Sequence, residues 1–172
     1  EGIDARERGT AVHAAIEAYC DLKGEGDFLR LIKDKLEAAG AAPEMIALEA
    51  PLWRRAVEAF LAWTAARKDR VADSVLEQKG VVELDGPLGK VTLEAKADRI
   101  ELLKDGTLAV IDFKTGRPPK PKQVRTGLSP QLALEAAIAA RAPFDRIRPA
   151  PTSELIYFQF GTSRPAAGET NG

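Results

Sequence analysis

A chain of 172 residues is long enough to bury one hydrophobic core, and its 45% hydrophobic and 30% charged residues are typical of a folded globular domain. The single cysteine, Cys20, excludes an internal disulfide, and the formal net charge of −1 excludes a global attraction to nucleic acid. No apolar stretch approaches the roughly 20 residues of a membrane helix, and no signal-peptide pattern opens the chain. We therefore expect a soluble, cytoplasmic setting without a membrane partner. The start at Glu1 instead of methionine suggests a piece of a longer protein.

Residues 1–72 are predicted to be helical. Apolar residues recur at helical spacing from Arg6 to Leu22, which predicts an amphipathic first helix. A second helix is predicted from the N-cap Asp27 to a stop at Gly40. A third is predicted to start near Pro43, to be interrupted at Ala50-Pro51 and to continue through Trp63.

Residues 73–161 are predicted to form a sheet core, and residues 162–172 a polar tail. Short apolar runs separated by the turn sequences "DGPLG" and "KDGT" predict an antiparallel meander. The predicted strands are Val75–Leu84, Val91–Leu103, Leu108–Lys114 and, after a helix, Leu155–Phe160. The helix is predicted to run from the N-cap Ser129-Pro130 to about Ala142. The fold class is thus α/β (α+β), in the order helices, three strands, helix, strand, as a single domain over residues 1–172.

Opposite charges stand at the end of the third predicted strand, in "AVIDFKTGRP". Side chains two apart on a strand share a face, so Asp112 and Lys114 project together. Counting outward from the "KDGT" turn puts Asp112 opposite about Arg99, so that Asp98 lies beside Asp112 within an error of one residue. Two carboxylates and an ammonium would then share one patch.

Adjacent carboxylates repel each other unless a cation lies between them, and Mg²⁺ typically binds one or two carboxylates together with water and phosphate oxygens. A metal held in this way can activate water, and a nearby lysine can stabilise the charge that develops on a phosphoryl group. The reaction class favoured is phosphodiester hydrolysis. Taken alone, however, Asp112 and Lys114 would more often be a solvated ion pair at a strand end than a catalytic pair.

The chain contains four notable sequence pieces: "GTAVH" (9–13), "KADRIE" (96–101), "VIDFKTG" (110–116) and "SPQL" (129–132). Together they resemble the nuclease domain of RecB and AddB proteins within the PD-(D/E)XK nuclease superfamily. The resemblance extends from Arg8 to about Tyr157 and is strongest to the C-terminal nuclease domain of AddB. It implies a restriction-endonuclease-like core with a mixed central sheet. It also implies a DNA exonuclease that acts on single-stranded ends within a bacterial helicase-nuclease for recombinational double-strand break repair, with an AddA-like helicase-nuclease subunit as partner.

Carried over residue by residue, the resemblance implies that a Mg²⁺ or Mn²⁺ ion is bound by His13, Asp98, Asp112 and the backbone carbonyl of Phe113. It implies further that Lys114 is the catalytic lysine. The catalytic set is Asp98, Asp112, Lys114 and Gln131.

Other readings of two of these residues remain open. A lone helix histidine such as His13 is often structural, and Gln131 is also compatible with a polar surface position. Glu77 could be the acidic residue that some relatives place on the first strand.

The sequence departs from the family pattern at two points. The position four residues after Gln131, often a tyrosine in the family, is Glu135. Many AddB proteins and related CRISPR-associated nucleases also carry four cysteines that hold an iron–sulfur cluster, whereas this chain has only Cys20. No iron–sulfur cluster is therefore expected, and a phage or CRISPR-system nuclease of this fold is disfavoured.

A basic segment follows the third strand. Between Asp112 and Glu135 the chain carries five basic residues and no acidic one, and we expect those after Lys114 to bind nucleic acid without reading bases. These residues are Arg117, Lys120, Lys122 and Arg125. The alternatives are a solvated linker for this segment and, for the whole chain, a catalytically inactive nuclease-like module that binds DNA without cutting it.

Overall fold

The computed structural model describes residues 2–87, 89–116, 131–142, 144 and 147–160. Its elements confirm the predicted order of helices, three strands, a helix and a strand. They are α1 (Ala5–Asp21), α2 (Phe28–Ala38), α3 (Pro43–Arg67), β1 (Val71–Gly86), β2 (Gly89–Leu103), β3 (Leu108–Lys114), α4 (Gln131–Ala139) and β4 (Thr152–Gln159). The predicted N-cap at Ser129-Pro130 and the predicted tail lie outside the described residues.

Two compact units divide the described residues. The helical unit contains α1, α2, α3 as far as Ala66, residues 113–116 and residues 159–160, and the sheet unit contains the other described residues. The boundary crosses β3 between Asp112 and Phe113. The expectation of a single domain stays a prediction. None of the helices in the described part of the chain has the length and apolar character needed to cross a membrane.

Local signals set the starts of the first two helices. Asp4 accepts a hydrogen bond from the Glu7 amide at 2.8 Å while the Glu7 carboxylate accepts one from the Asp4 amide, which forms a capping box before α1. Asp27 caps α2 as predicted, because its carboxylate accepts a hydrogen bond from the Arg30 amide at 3.0 Å. α2 therefore begins where the sequence predicts, and α1 begins one residue before the predicted start at Arg6.

The predicted interruption at Ala50-Pro51 is wrong, since α3 continues through Pro51 from Pro43 to Arg67. An internal proline removes a backbone hydrogen bond at a cost of about 3 kcal/mol. Burial of the apolar face on both sides of Pro51 outweighs this cost, since Ile46, Trp53 and Phe60 are all buried. Phe60 packs against an aromatic cluster of the helical unit that includes Phe28, Phe113 and Phe160.

A four-stranded sheet in the order β1-β2-β3-β4 forms the second unit. β1 and β2 pair as an antiparallel hairpin that extends beyond the predicted strand ends, out to Gly86 opposite Gly89. The β2–β3 turn is held by Asp105, whose carboxylate accepts hydrogen bonds from the amide and hydroxyl of Thr107. These hydrogen bonds lower the pKa of Asp105.

β3 and β4 run parallel. Leu108 donates its amide hydrogen to the Pro151 carbonyl at one end of β3, and the Lys114 carbonyl accepts from the Phe160 amide at the other end. Since β1–β2 and β2–β3 are antiparallel, the sheet is mixed, as expected for a restriction-endonuclease-like fold. The hydrogen bonds on both sides make β3 a central strand, and six of its seven residues are buried.

α4 covers the sheet through a core that includes Val75, Ile100, Val110 and Ile138. Gly80 on β1 lies directly under this layer, because a Cβ atom at this position would come within 2.5 Å of Ile138 and closer still to Phe144. Any larger residue would push α4 away from the sheet. This close packing fixes α4, and with it Gln131 at its first turn.

Candidate functional site

Asp98 and Asp112 lie on the neighbouring strands β2 and β3. The β2–β3 register pairs Leu102 with Leu108 and Arg99 with Ile111, where the pairing ends. If it were continued by one residue, the same register would set Asp98 opposite Asp112. The structure thus corrects the predicted pairing of Asp112 with Arg99 by one residue, in the direction that brings the two aspartates together. Asp112 is buried, with 2% of its surface exposed, and Asp98 is half-buried.

Gln131 holds the buried aspartate. Its amide nitrogen Nε2 donates a hydrogen bond to Oδ1 of Asp112 at 2.7 Å from the first residue of α4. The contact restrains the orientation of the carboxyl group. Gln131 is itself exposed, so it occupies a surface position that is hydrogen-bonded to a buried carboxylate, and its role in catalysis stays a prediction.

A second carboxylate lies beside Asp98. Glu77 on β1 occupies the position between the pairs Leu76–Arg99 and Gln78–Ala97, and its carboxylate lies within 4.8 Å of that of Asp98. At this separation two negative charges repel by about 3 kcal/mol for an effective dielectric constant of ~20. Glu77 also has a φ of 50°, in the left-handed region that a residue with a side chain rarely adopts inside a strand. Strain and repulsion at one residue are typical of a functional site.

In the helical unit, His13 lies next to the predicted carbonyl ligand. Its Nε2 is 2.9 Å from the backbone oxygen of Phe113. Ligands about 2.1 Å from an octahedral Mg²⁺ are separated from their neighbours by about 3 Å. The distance is also that of a hydrogen bond, so the pair fits either a metal-free histidine or two neighbouring ligands. Gly9, in the same motif, allows α1 to approach the end of β3, because a Cβ there would be 3.3 Å from Oγ1 of Thr115.

Lys114 ends β3 as a half-buried residue whose carbonyl is fixed by the Phe160 amide at 2.7 Å. Its role as the catalytic lysine stays a prediction. The predicted nucleic-acid-binding residues Arg117, Lys120, Lys122 and Arg125 lie outside the described residues.

Sequence reasoning missed a buried ion-pair network on the opposite face of β2. Arg67 donates two hydrogen bonds to Glu101 at 2.9 and 2.7 Å and lies 2.9 Å from Glu154, which also pairs with Arg70. Arg99 approaches Glu101 at 2.7 Å. The available signal was the strand period, since Arg99 and Glu101 alternate with Asp98 and Ile100 and must face the other side.

The pKa values in this network follow from its geometry. Burial works against the charge of Arg67, but hydrogen bonds and charges from Glu101 and Glu154 outweigh it and raise the pKa of the guanidinium. Burial likewise disfavours ionised Glu154, but the hydrogen bonds from Arg70 and Arg67 prevail and lower the pKa of that carboxyl. Arg67 and Glu154 are therefore both held in their charged forms.

The carboxylate donors of the sheet unit suit a hard divalent cation. The neighbouring carboxylates of Glu77 and Asp98 are oxygen ligands of the kind that Mg²⁺ and Mn²⁺ prefer. Within the helical unit, the pair formed by the His13 nitrogen and a backbone oxygen is also of a type that such an ion can accept.

Comparison with known proteins identifies the family. The sequence model of the PD-(D/E)XK nuclease superfamily matches residues 1–170. An uncharacterized protein of Rickettsia conorii, RC0550, is 30% identical over 89 residues, which cover 52% of this chain and 11% of the relative. An uncharacterized protein of Rickettsia felis is 31% identical over 88 residues, which cover 51% of this chain and 10% of the relative. The match thus spans about a tenth of the length of these relatives.

Among solved structures, the crystal structure of SSO0001 is similar to this chain. It shares 16% sequence identity, with a TM-score of 0.42, over 94% of this chain and 64% of that one.

Proposed function

Because the chain belongs to the PD-(D/E)XK nuclease superfamily, whose members are typically nucleases that use divalent metals, we propose that it is a Mg²⁺- or Mn²⁺-dependent deoxyribonuclease. The observation that carries the proposal is the β2–β3 register, which ends at Arg99–Ile111 and would set Asp98 opposite Asp112 if continued by one residue, together with the hydrogen bond from Gln131 to Asp112 at 2.7 Å. Two carboxylates in this arrangement are costly in a fold unless they bind a cation.

In this proposal Asp98, Asp112, His13 and the carbonyl of Phe113 would hold the metal. The bound metal would activate a water molecule and neutralise charge on the phosphoryl group. Gln131 keeps the Asp112 carboxylate in one orientation by donating to Oδ1.

Lys114 would orient the attacking water and stabilise the additional negative charge of the pentavalent transition state. In this hydrolysis a water oxygen bonds to phosphorus, and a phosphorus–oxygen bond of the DNA backbone breaks. The water proton leaves with the departing sugar oxygen.

The substrate of this proposal is single-stranded DNA, cut from its ends as in the AddB-type nuclease domains that the four sequence pieces resemble. A basic segment supports binding to the phosphate backbone of DNA without sequence preference. It contains Arg117, Lys120, Lys122 and Arg125. An AddA-like helicase subunit would deliver the strand in a bacterial cytoplasm during double-strand break repair.

The test is a cleavage assay with labelled single-stranded DNA and Mg²⁺ or Mn²⁺. It compares the wild type with Asp112→Ala, Lys114→Ala and Asp85→Asn, an exposed aspartate of the hairpin. We expect cleavage by the wild type and by Asp85→Asn, and no cleavage by the other two. Circular and linear substrates then distinguish cutting within the strand from cutting at ends. If all four proteins bind DNA and none cuts it, the chain is the inactive DNA-binding module and the catalytic proposal is wrong.

A further inference from the structure

A lysine lies at the carboxylate pair on the sheet. The ammonium of Lys96 forms an ion pair with the carboxylate of Glu77. The Lys96 side chain is 53% exposed, whereas that of Glu77 is only 18% exposed. A long, mostly solvated side chain therefore neutralises a carboxylate that is largely shielded from water.

Strand geometry puts this lysine on the side of the sheet that carries Asp98. Lys96 and Asp98 are two residues apart on β2, so their side chains project from the same face. Glu77, across the strand pair, lies within 4.8 Å of Asp98 and is also the partner of Lys96. Lys96 thus places a single positive charge beside two carboxylates that would otherwise repel each other.

We propose that Lys96 is a displaceable counter-ion of the metal site, whose ammonium neutralises Glu77 until a divalent cation replaces it. The inference rests on the proposed function, because it requires a metal that binds at Asp98 beside Glu77. It differs from the role assigned to Lys114, since Lys96 competes with the metal and takes no part in the hydrolysis.

The Lys96 ammonium and the metal compete for the Glu77 carboxylate. Breaking the ion pair therefore offsets part of the free energy of metal binding. An ion pair with one solvated partner is also screened by salt, so the competition weakens as ionic strength rises.

The experiment measures Mn²⁺ binding by isothermal titration calorimetry on the whole chain without DNA. Lys96→Met removes the charge and keeps a similar length, and Lys79→Met is the matched control. Lys79 is an exposed lysine directly across the strand pair from Lys96 and loses the same charge. We expect Lys96→Met to bind Mn²⁺ about 3- to 10-fold more tightly than the wild type at low salt, and Lys79→Met to change affinity less than about 2-fold.

A second measurement separates displacement from a general charge effect. Lys96→Arg keeps a cation at the position and should bind Mn²⁺ about as weakly as the wild type. In thermal unfolding without metal, Lys96→Met should be less stable than Lys79→Met, and Mn²⁺ should raise its melting temperature by more. Should Lys96→Met not fold, Lys96→Gln replaces it in the same comparison.

The outcomes distinguish the two proposals. If the wild type binds Mn²⁺ and Lys96→Met binds no more tightly, the counter-ion inference is wrong and the nuclease proposal stands. The same holds if Lys79→Met gains as much affinity as Lys96→Met. If none of the proteins binds Mn²⁺, the metal-dependent function fails and the inference fails with it.

Discussion

Two clusters of charge lie on opposite faces of β2, and they differ in how their charges are balanced. On one face, Glu101 and Glu154 are paired with Arg67 and other guanidinium groups. On the other face, the carboxylates of Glu77 and Asp98 lie within 4.8 Å of each other. The first cluster has more cations than carboxylates, whereas in the second two neighbouring carboxylates share an ion pair with the ammonium of Lys96 through Glu77.

The difference distinguishes charged side chains that stabilise the fold from charged side chains that are suited to bind a ligand. A buried carboxylate with a guanidinium partner is already neutralised, so its loss is felt as a loss of stability. Neighbouring carboxylates that form a metal site, as proposed for Asp98 and Glu77, gain stability when the metal binds. Substitutions in the two clusters should therefore have opposite effects on unfolding and on cleavage.

The largest effect is expected from Asp112→Asn. The asparagine oxygen can still accept from Gln131, but the negative charge for the metal is lost, so cleavage should fall by about three to four orders of magnitude. The free energy of unfolding without metal should stay within about 1 kcal/mol of the wild type or rise, because repulsion with Asp98 is removed. A cleavage assay and urea denaturation check the two parts. Retained cleavage would remove Asp112 from the metal site.

Glu101→Gln should show the opposite pattern. The substitution removes the negative charge that pairs with the buried guanidinium groups of Arg67 and Arg99. We therefore expect a loss of about 3–5 kcal/mol in the free energy of unfolding. The folded protein should still cleave DNA at a rate near that of the wild type. Urea denaturation beside Asp85→Asn, which should change stability by less than about 0.5 kcal/mol, provides the control. Unchanged stability in Glu101→Gln would contradict a structural role for the network.

Gln131→Met tests the link between α4 and the metal site. Loss of the hydrogen bond to Asp112 leaves that carboxylate less well oriented, so cleavage should fall by about 10- to 100-fold. The apparent metal affinity should fall while the affinity for DNA changes little. Titration of the cleavage rate with Mg²⁺ measures this separation. An equal loss of DNA affinity would indicate that Gln131 contacts the substrate instead.

The smallest effect concerns pH. Because the folded-state pKa of Glu154 is lowered, its contribution to stability is present above the ordinary value of 4.5 and is lost as pH falls through the folded-state pKa. The difference in unfolding free energy between the wild type and Glu154→Gln should thus be about 1 kcal/mol at neutral pH. It should disappear in acid. A difference that grows on acidification would mean that Glu154 is protonated in the folded state.

The sequence predicted the element order, and it estimated the β2–β3 register to within one residue, because strand alternation and a tight turn fix both over short chain distances. It did not predict that α3 passes through Pro51, since local propensity carries no information about burial of Trp53 and Phe60. The network around Glu101 was missed for a related reason. Its partners, Arg67 and Glu154, come from distant parts of the chain, and only the tertiary fold brings them together.

The connections of β3 also bear on the order of folding. β3 joins β2 through a tight turn, but its parallel pairing with β4 requires the long connection that contains α4. Local contacts close faster than distant ones, so the β1–β2–β3 meander should form before β4 docks. Asp98 and Asp112 would then meet early, while Glu154 reaches Arg67 only late. Divalent metal present during refolding should accordingly speed the early phase, and substitutions at Glu154 should act mainly on the rate of unfolding.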